Sequence, residues 1–167
     1  MLRLLQKRRY EDITVSQLCE HMNIPRKTFY RYFSDKEGAL YALIDHTLID
    51  FFQTPSLYVP KGSAVGDELG QFFAFWYENK DFLDALGRSG LSGILVERAN
   101  TLALREGYMP RQFKTVPAQI QAFAMAFTVC GLMSVVLQWY HGGFLLTPEE
   151  MTDFAASLLT NPLINRT

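Results

Sequence analysis

TVSQLCEHMNIPRKTFYRYFSDKEGAL, from Thr14 to Leu40, is the stretch that decides the fold. Thr14 followed three residues on by Gln17 has the form of a capping box, in which hydroxyl and amide satisfy N–H groups orphaned at a helix start. Val15, Leu18, Cys19 and Met22 recur at i, i+3, i+4 and i+7, one apolar stripe of a short amphipathic helix. Asn23-Ile24-Pro25 interrupts it, because Asn tolerates turn geometry and Pro suits the first turn of a helix but not its interior. A second short helix is expected from Arg26 to Tyr32. Phe29 and Phe33 face the core with Ile24, while Arg26, Lys27, Thr28, Tyr30 and Arg31 fall mostly on the other side. That side suits DNA: Arg bonds guanine bidentately, Lys and Tyr bond phosphates, and a recognition helix fits the major groove. A solvated basic face is the plainer alternative. The order of cap, stripe, turn and basic aromatic helix weighs against it.

Charge is divided in the same way. The 167-residue chain is nearly neutral at −1, but residues 1–36 hold eight basic and four acidic side chains, a net +4 that leaves −5 for the rest. A basic head on an acidic body points to a polyanionic partner for the head alone. The length allows one sizeable core or two small ones sharing a boundary, and 49% hydrophobic content excludes a disordered chain. Cys19 and Cys130 lie on separate apolar stretches without zinc-like spacing, which fits a reducing cytoplasm. Met1 to Tyr10 has too few consecutive apolar residues for a signal peptide. Ala122 to Leu137 is uncharged but shorter than the about 20 residues of a spanning helix, so a core or interface helix is expected there.

Helical signals continue to the end of the chain. Ser34-Asp35-Lys36-Glu37 has the form of a second capping box, opening a helix to about Phe52 with Leu40, Leu43, Ile44, Leu48 and Phe51 inward and Asp45, His46 and Asp50 outward. Thr54-Pro55 ends it, and Pro60 to Ser63 reads as a loop. Asp67 to Leu86 is expected as one aromatic-rich helix, buried on more than one side. Another runs from about Leu91 to Glu106, stopped by Gly107, and Pro110 to Val116 is a loop. Pro117 starts a long helix to about Tyr140, ended by Gly142-Gly143. Thr147 to Glu150 is a third capping box, followed by the stripe Met151, Phe154, Ala155, Leu158 and Leu159. No segment alternates at period two. The expected architecture is all-α, with a head over residues 1–46 and a helical body over 47–167, the boundary falling inside the connecting helix near His46.

An enzyme reading has little support. His21, His46 and His141 are far apart and make no multi-ligand spacing, so no metal or cofactor is expected. Ser89 to Gly93 lacks the arrangement of a nucleophile elbow, and no phosphate loop occurs.

The head resembles the N-terminal DNA-binding domain of the tetracycline-repressor (TetR) family of bacterial regulators. The resemblance rests on Thr14-Val15, Leu18 to Met22, Thr28, Tyr30-Arg31-Tyr32-Phe33 and Lys36-Glu37, about the first quarter of the chain. It implies that Arg26, Lys27, Tyr30, Arg31 and Tyr32 act as recognition-helix contacts and that Thr14 and Lys36 touch phosphate. Thr28 belongs to the same DNA-facing set. Lys27 stands where a small residue is usual and Ala39 where Leu is usual, and Met1 to Arg8 supplies a first helix a turn or two shorter than the pattern. These departures motivate an alternative, an interaction protein of the same fold that does not bind DNA.

For the body the resemblance implies a ligand pocket, expected among Phe72, Trp76, Tyr77, Phe123 and Phe127, where simple core packing is the default for such aromatics. Arg88 and Arg98 could face an acidic ligand, with surface solvation the plainer expectation. The last two helices carry more apolar surface than one core can hide, so Phe127, Gly131, Val135, Trp139, Met151, Phe154 and Leu158 are expected at a two-fold homodimer interface. The function implied is a cytoplasmic homodimeric regulator, a repressor released from a near-palindromic operator by a small-molecule effector.

Overall fold

A computed structural model describes residues 1–53, 65–105 and 117–160, and among these there is no strand. The helices are α1 (Leu2–Leu5), α2 (Val15–Met22), α3 (Arg26–Tyr32), α4 (Lys36–Gln53), α5 (Val65–Glu78), α6 (Lys80–Gly87), α7 (Ser92–Arg105), α8 (Ala118–His141) and α9 (Pro148–Thr160), with a 3-10 turn at Tyr10–Asp12. The expected loops at Pro60 to Ser63 and Pro110 to Val116, the helix stops at Thr54-Pro55 and Gly107, and the side chain of Leu159 lie outside the described residues.

Local chemistry sets the ends. Thr14 Oγ1 accepts from the Gln17 N–H at 3.2 Å while Gln17 Oε1 accepts from the Thr14 N–H at 2.9 Å, so both halves of the first box form. Asn23 turns α2 into α3 from the left-handed region (φ 52°), a conformation Asn tolerates better than most residues. The box expected at Ser34 shifts by one residue, since Asp35 Oδ1 accepts from the Gly38 N–H (2.8 Å) and Glu37 accepts the Tyr41 hydroxyl instead. The single helix expected from Asp67 to Leu86 is two. Both the backbone N–H and Nδ2 of Asn79 donate to the Phe75 carbonyl, at 3.0 and 2.9 Å, and a side chain competing for a carbonyl ends the run. At the far end Gly143 (φ 74°) and Phe144 (φ 55°) reverse the chain, and the Thr147–Glu150 box starts α9.

One hydrophobic core runs from Leu5, Ile13, Leu18 and Phe29 through Ile44, Leu48 and Phe51 of α4 to Phe73, Trp76, Leu86, Leu95 and Val136 of the body. α5 packs on α9, α7 on α8, α4 on α7, and the short α1 on α6. α4 is therefore shared by head and body, which makes it a stiff joint between them.

Candidate nucleic-acid interface

α3 has one buried residue, Phe29, which is 0% exposed and meets the rings of Phe33 (5.3 Å) and Tyr30 (5.5 Å). That single anchor fixes which way the rest of the helix points. Arg26, Lys27, Tyr30, Arg31 and Tyr32 are all exposed, and Thr28 is half-buried. The cations are held by their aromatic neighbours. Arg26 Nη2 donates to Tyr30 Oη at 3.4 Å, and the Arg31 guanidinium lies 4.9 Å from the Tyr32 ring centre with Nη2 donating to Tyr32 Oη at 3.0 Å. The Tyr30 hydroxyl bond raises the Arg26 pKa further above its ordinary value, so the charge is permanent. Planar guanidinium groups carried by rings on one helix face can address base edges and phosphates.

The two flanking residues are more committed. The Thr14 hydroxyl already accepts at the helix cap but keeps its own proton to donate. The Lys36 ammonium lies 4.1 Å from the centre of the Tyr10 ring and donates to the carbonyls of Tyr10 (2.7 Å) and Glu11 (3.5 Å). It thus ties α4 to the 3-10 turn. The carbonyl acceptors leave no mark in a sequence pattern.

Residues 2–43 match the model of the bacterial regulatory proteins of the tetR family. Those residues form a TetR-type N-terminal domain. The chain's fold is similar to the solved structures of the dihydroxyacetone kinase operon activator DhaS (TM-score 0.56, 16% identity, 95% of this chain and 89% of that one). It is also similar to the fatty acid degradation regulator FadR from Bacillus halodurans (TM-score 0.57, 15% identity, 97% of this chain and 91% of that one). No curated protein sequence matches the chain. A TetR-type DNA-binding domain on a helical body makes the chain a transcription regulator.

The TetR head is held to the body at three polar points. Arg88 Nη2 donates to the Gln6 carbonyl (3.0 Å) and the Tyr10 N–H donates to the buried Ser89 Oγ (2.9 Å). On the other side Arg98 forms a two-pronged ion pair with Asp45, one contact at 2.7 Å, and lies over the Tyr41 ring. Asp45, expected outward, faces α7. Arg88 and Arg98 are joint residues, Arg88 from a solvent-exposed position and Arg98 largely covered. Behind Arg88 a polar chain continues, because Asp84 binds Arg88 Nε (2.9 Å) and accepts from Tyr140 Oη of α8 (3.3 Å).

The five aromatic residues considered for a pocket do not all meet. Phe72 and Trp76 are buried 6.4 Å apart with Phe51 and Phe75 around them, whereas Tyr77 stacks on Trp139 (5.8 Å) and is exposed at its edge. Phe123 and Phe127 point away from the core, 75% and 79% exposed. α8 is apolar on every side, so its sequence gave no direction to these rings. Inside the body the Trp76 indole N–H, Gln71 Oε1 and Asn100 Oδ1 are buried without partners. Of the residues expected at a dimer interface, Phe127, Gly131 and Phe154 are exposed and Val135 and Leu158 half-buried. Trp139 and Met151 are buried within the chain, with the Trp139 indole N–H donating to the Leu146 carbonyl (3.0 Å). Both form the floor of an open apolar groove of about 540 Å3 between α8 and α9. Among the described residues there is no cluster of metal-ligating side chains.

Proposed function

We propose that the chain is a cytoplasmic homodimeric repressor whose head, residues 1–46, reads a near-palindromic operator and whose body, residues 47–167, releases it when a small-molecule effector binds. The observation that carries this reading is α3, with Phe29 wholly buried and five basic or tyrosine side chains exposed opposite it. Thr14, Thr28 and Lys36 border the same face. The effector would occupy the body near Phe72 and Trp76. A buried donor without an acceptor costs about 1–3 kcal/mol, and an effector carrying an acceptor would satisfy the Trp76 N–H. Release is a population shift: effector favours one packing of the body, and α4, with the Arg88, Ser89 and Arg98 contacts, carries the tilt to the head. Two heads related by a dyad would meet half-sites about one helical turn of DNA apart, or a multiple of it.

A gel shift with the DNA upstream of the chain's own gene tests the reading. Specific retention that competitor DNA does not remove supports it. A parent protein that shifts no fragment above the level of non-specific DNA favours the interaction-protein alternative. For the effector, Trp76 and Trp139 are the only tryptophans. A ligand that releases DNA should change Trp76 emission in the Trp139→Phe variant, and release with unchanged emission would put the site elsewhere.

A further inference from the structure

We propose that the site beside Trp76 takes an uncharged aromatic carbonyl compound, a ketone, lactone or amide, whose oxygen accepts from the Trp76 indole N–H. The inference rests on the effector reading above and names the chemical class that the site admits. Trp76 is 0% exposed, and its ring meets those of Phe75 (5.3 Å) and Phe72 (6.4 Å). Phe51 of α4 closes the group, 5.1 Å from Phe75 and 5.7 Å from Phe72. Three phenyl rings thus gather beside one N–H that has no acceptor. The rings favour an aromatic ligand, which can meet them edge-on or offset. An indole nitrogen only donates, so the ligand must also carry an acceptor.

Charge decides the rest. Among the described residues the only buried polar one is Ser89, whose hydroxyl already accepts from the Tyr10 N–H at the joint. None of the described Asp, Glu, Lys, Arg or His residues is buried. Arg98 and Asp45, with side chains 25% and 20% exposed, neutralise each other, and Arg88 pairs with Asp84. Besides the Trp76 N–H, the buried polar atoms left without partners are Gln71 Oε1 and Asn100 Oδ1, both on uncharged amides. A charged ligand entering this interior would give up its water and find no counter-ion, which is costly. A carboxylate could accept from Trp76 but would bring an unpaired negative charge. A quaternary ammonium could lie against the rings but has no acceptor, so the indole N–H would stay orphaned. A plain hydrocarbon leaves the same orphan. Only an uncharged acceptor meets both conditions. Because Phe51 belongs to α4, a ligand that shifts Phe72 or Phe75 would press on the helix shared by head and body.

The test is calorimetric titration of the full chain with four probes of similar size: acetophenone, cumene, benzoate and phenyltrimethylammonium. Acetophenone should bind ahead of cumene by roughly 5- to 150-fold, the ratio that satisfying one buried donor is worth. It should lead the two charged probes by at least as much. This ranking is read on the parent protein and needs no variant. Trp76→Phe keeps a ring and removes the N–H, so it should bring acetophenone down to cumene and leave cumene unchanged. Circular dichroism melts check that the variant is folded. Cumene or a charged probe binding the parent as tightly as acetophenone would overturn the class, while a site beside Trp76 stands if Trp76→Phe alters that binding. An acetophenone preference that survives in folded Trp76→Phe protein would overturn the indole as its donor. No binding by any of the four would overturn both the class and the effector site of the proposed function.

Discussion

Replacing Phe29 by Ala separates the support of the recognition helix from its contacts. α3 has seven residues, too few to persist alone, and Phe29 is its one buried side chain. Truncating a fully buried Phe costs about 3–5 kcal/mol, partly through the cavity and partly through the lost ring contacts, edge-on with Tyr30 and tilted with Phe33. Against a typical total of about 5–15 kcal/mol this is a large fraction. It should lower the melting temperature by roughly 6–20 °C for a chain of this size. DNA binding should fall too, although no side chain on the DNA face has changed. Arg26→Ala and Lys27→Ala should do the opposite. Both positions are exposed, so stability should stay within about 0.5 kcal/mol, while loss of a base contact weakens specific binding by about 1–3 kcal/mol, roughly 5- to 150-fold. Urea melts followed by circular dichroism, with anisotropy on the fragment retained in the gel shift, read both quantities. A Phe29→Ala protein with parental midpoint and affinity would refute the anchoring argument. Arg26→Ala or Lys27→Ala proteins that lose binding only in step with stability would refute the assigned face.

Lys36→Ala should lose stability, because its ammonium holds the Tyr10 carbonyl, and affinity too if the proposed phosphate contact is made; a shallower salt dependence of binding with an unchanged melt would give it a phosphate role alone. Gly87→Ala should destabilise by about 1–3 kcal/mol, since the new Cβ would lie 2.7 Å from Tyr140 Oη, and Tyr140→Ala should rescue it in a double-mutant cycle. Burial first, then the Asp84 charge and hydrogen bond, raises the Tyr140 pKa above its ordinary 10.0. The unfolded chain then loses this proton first, so the contribution is complete below about pH 10 and is lost as pH rises through the folded value. Tyr140→Phe should flatten the alkaline fall in stability above pH 10, and an unchanged slope would place the raised group elsewhere.

What could be read from the sequence is what short-range chemistry controls. The Thr14–Gln17 and Thr147–Glu150 boxes, the Asn23 turn and the buried Phe29 face all depend on residues within four positions of one another, and each stands where the pattern puts it. Near misses arose where two local partners compete, as Asp35 does with Ser34 for the α4 cap, and Asn79 with the helix for the Phe75 carbonyl. By itself the sequence determined an all-helical chain with a TetR head, because caps, turns and amphipathic spacing are local and the family's motif is contiguous. Only the tertiary structure decided that Arg98 grips Asp45, that Lys36 holds Tyr10, and that Phe123 and Phe127 face outward while Phe72 and Trp76 face in. The ion pair joins residues 53 positions apart, and a helix apolar on all sides has no face of its own until neighbours cover one.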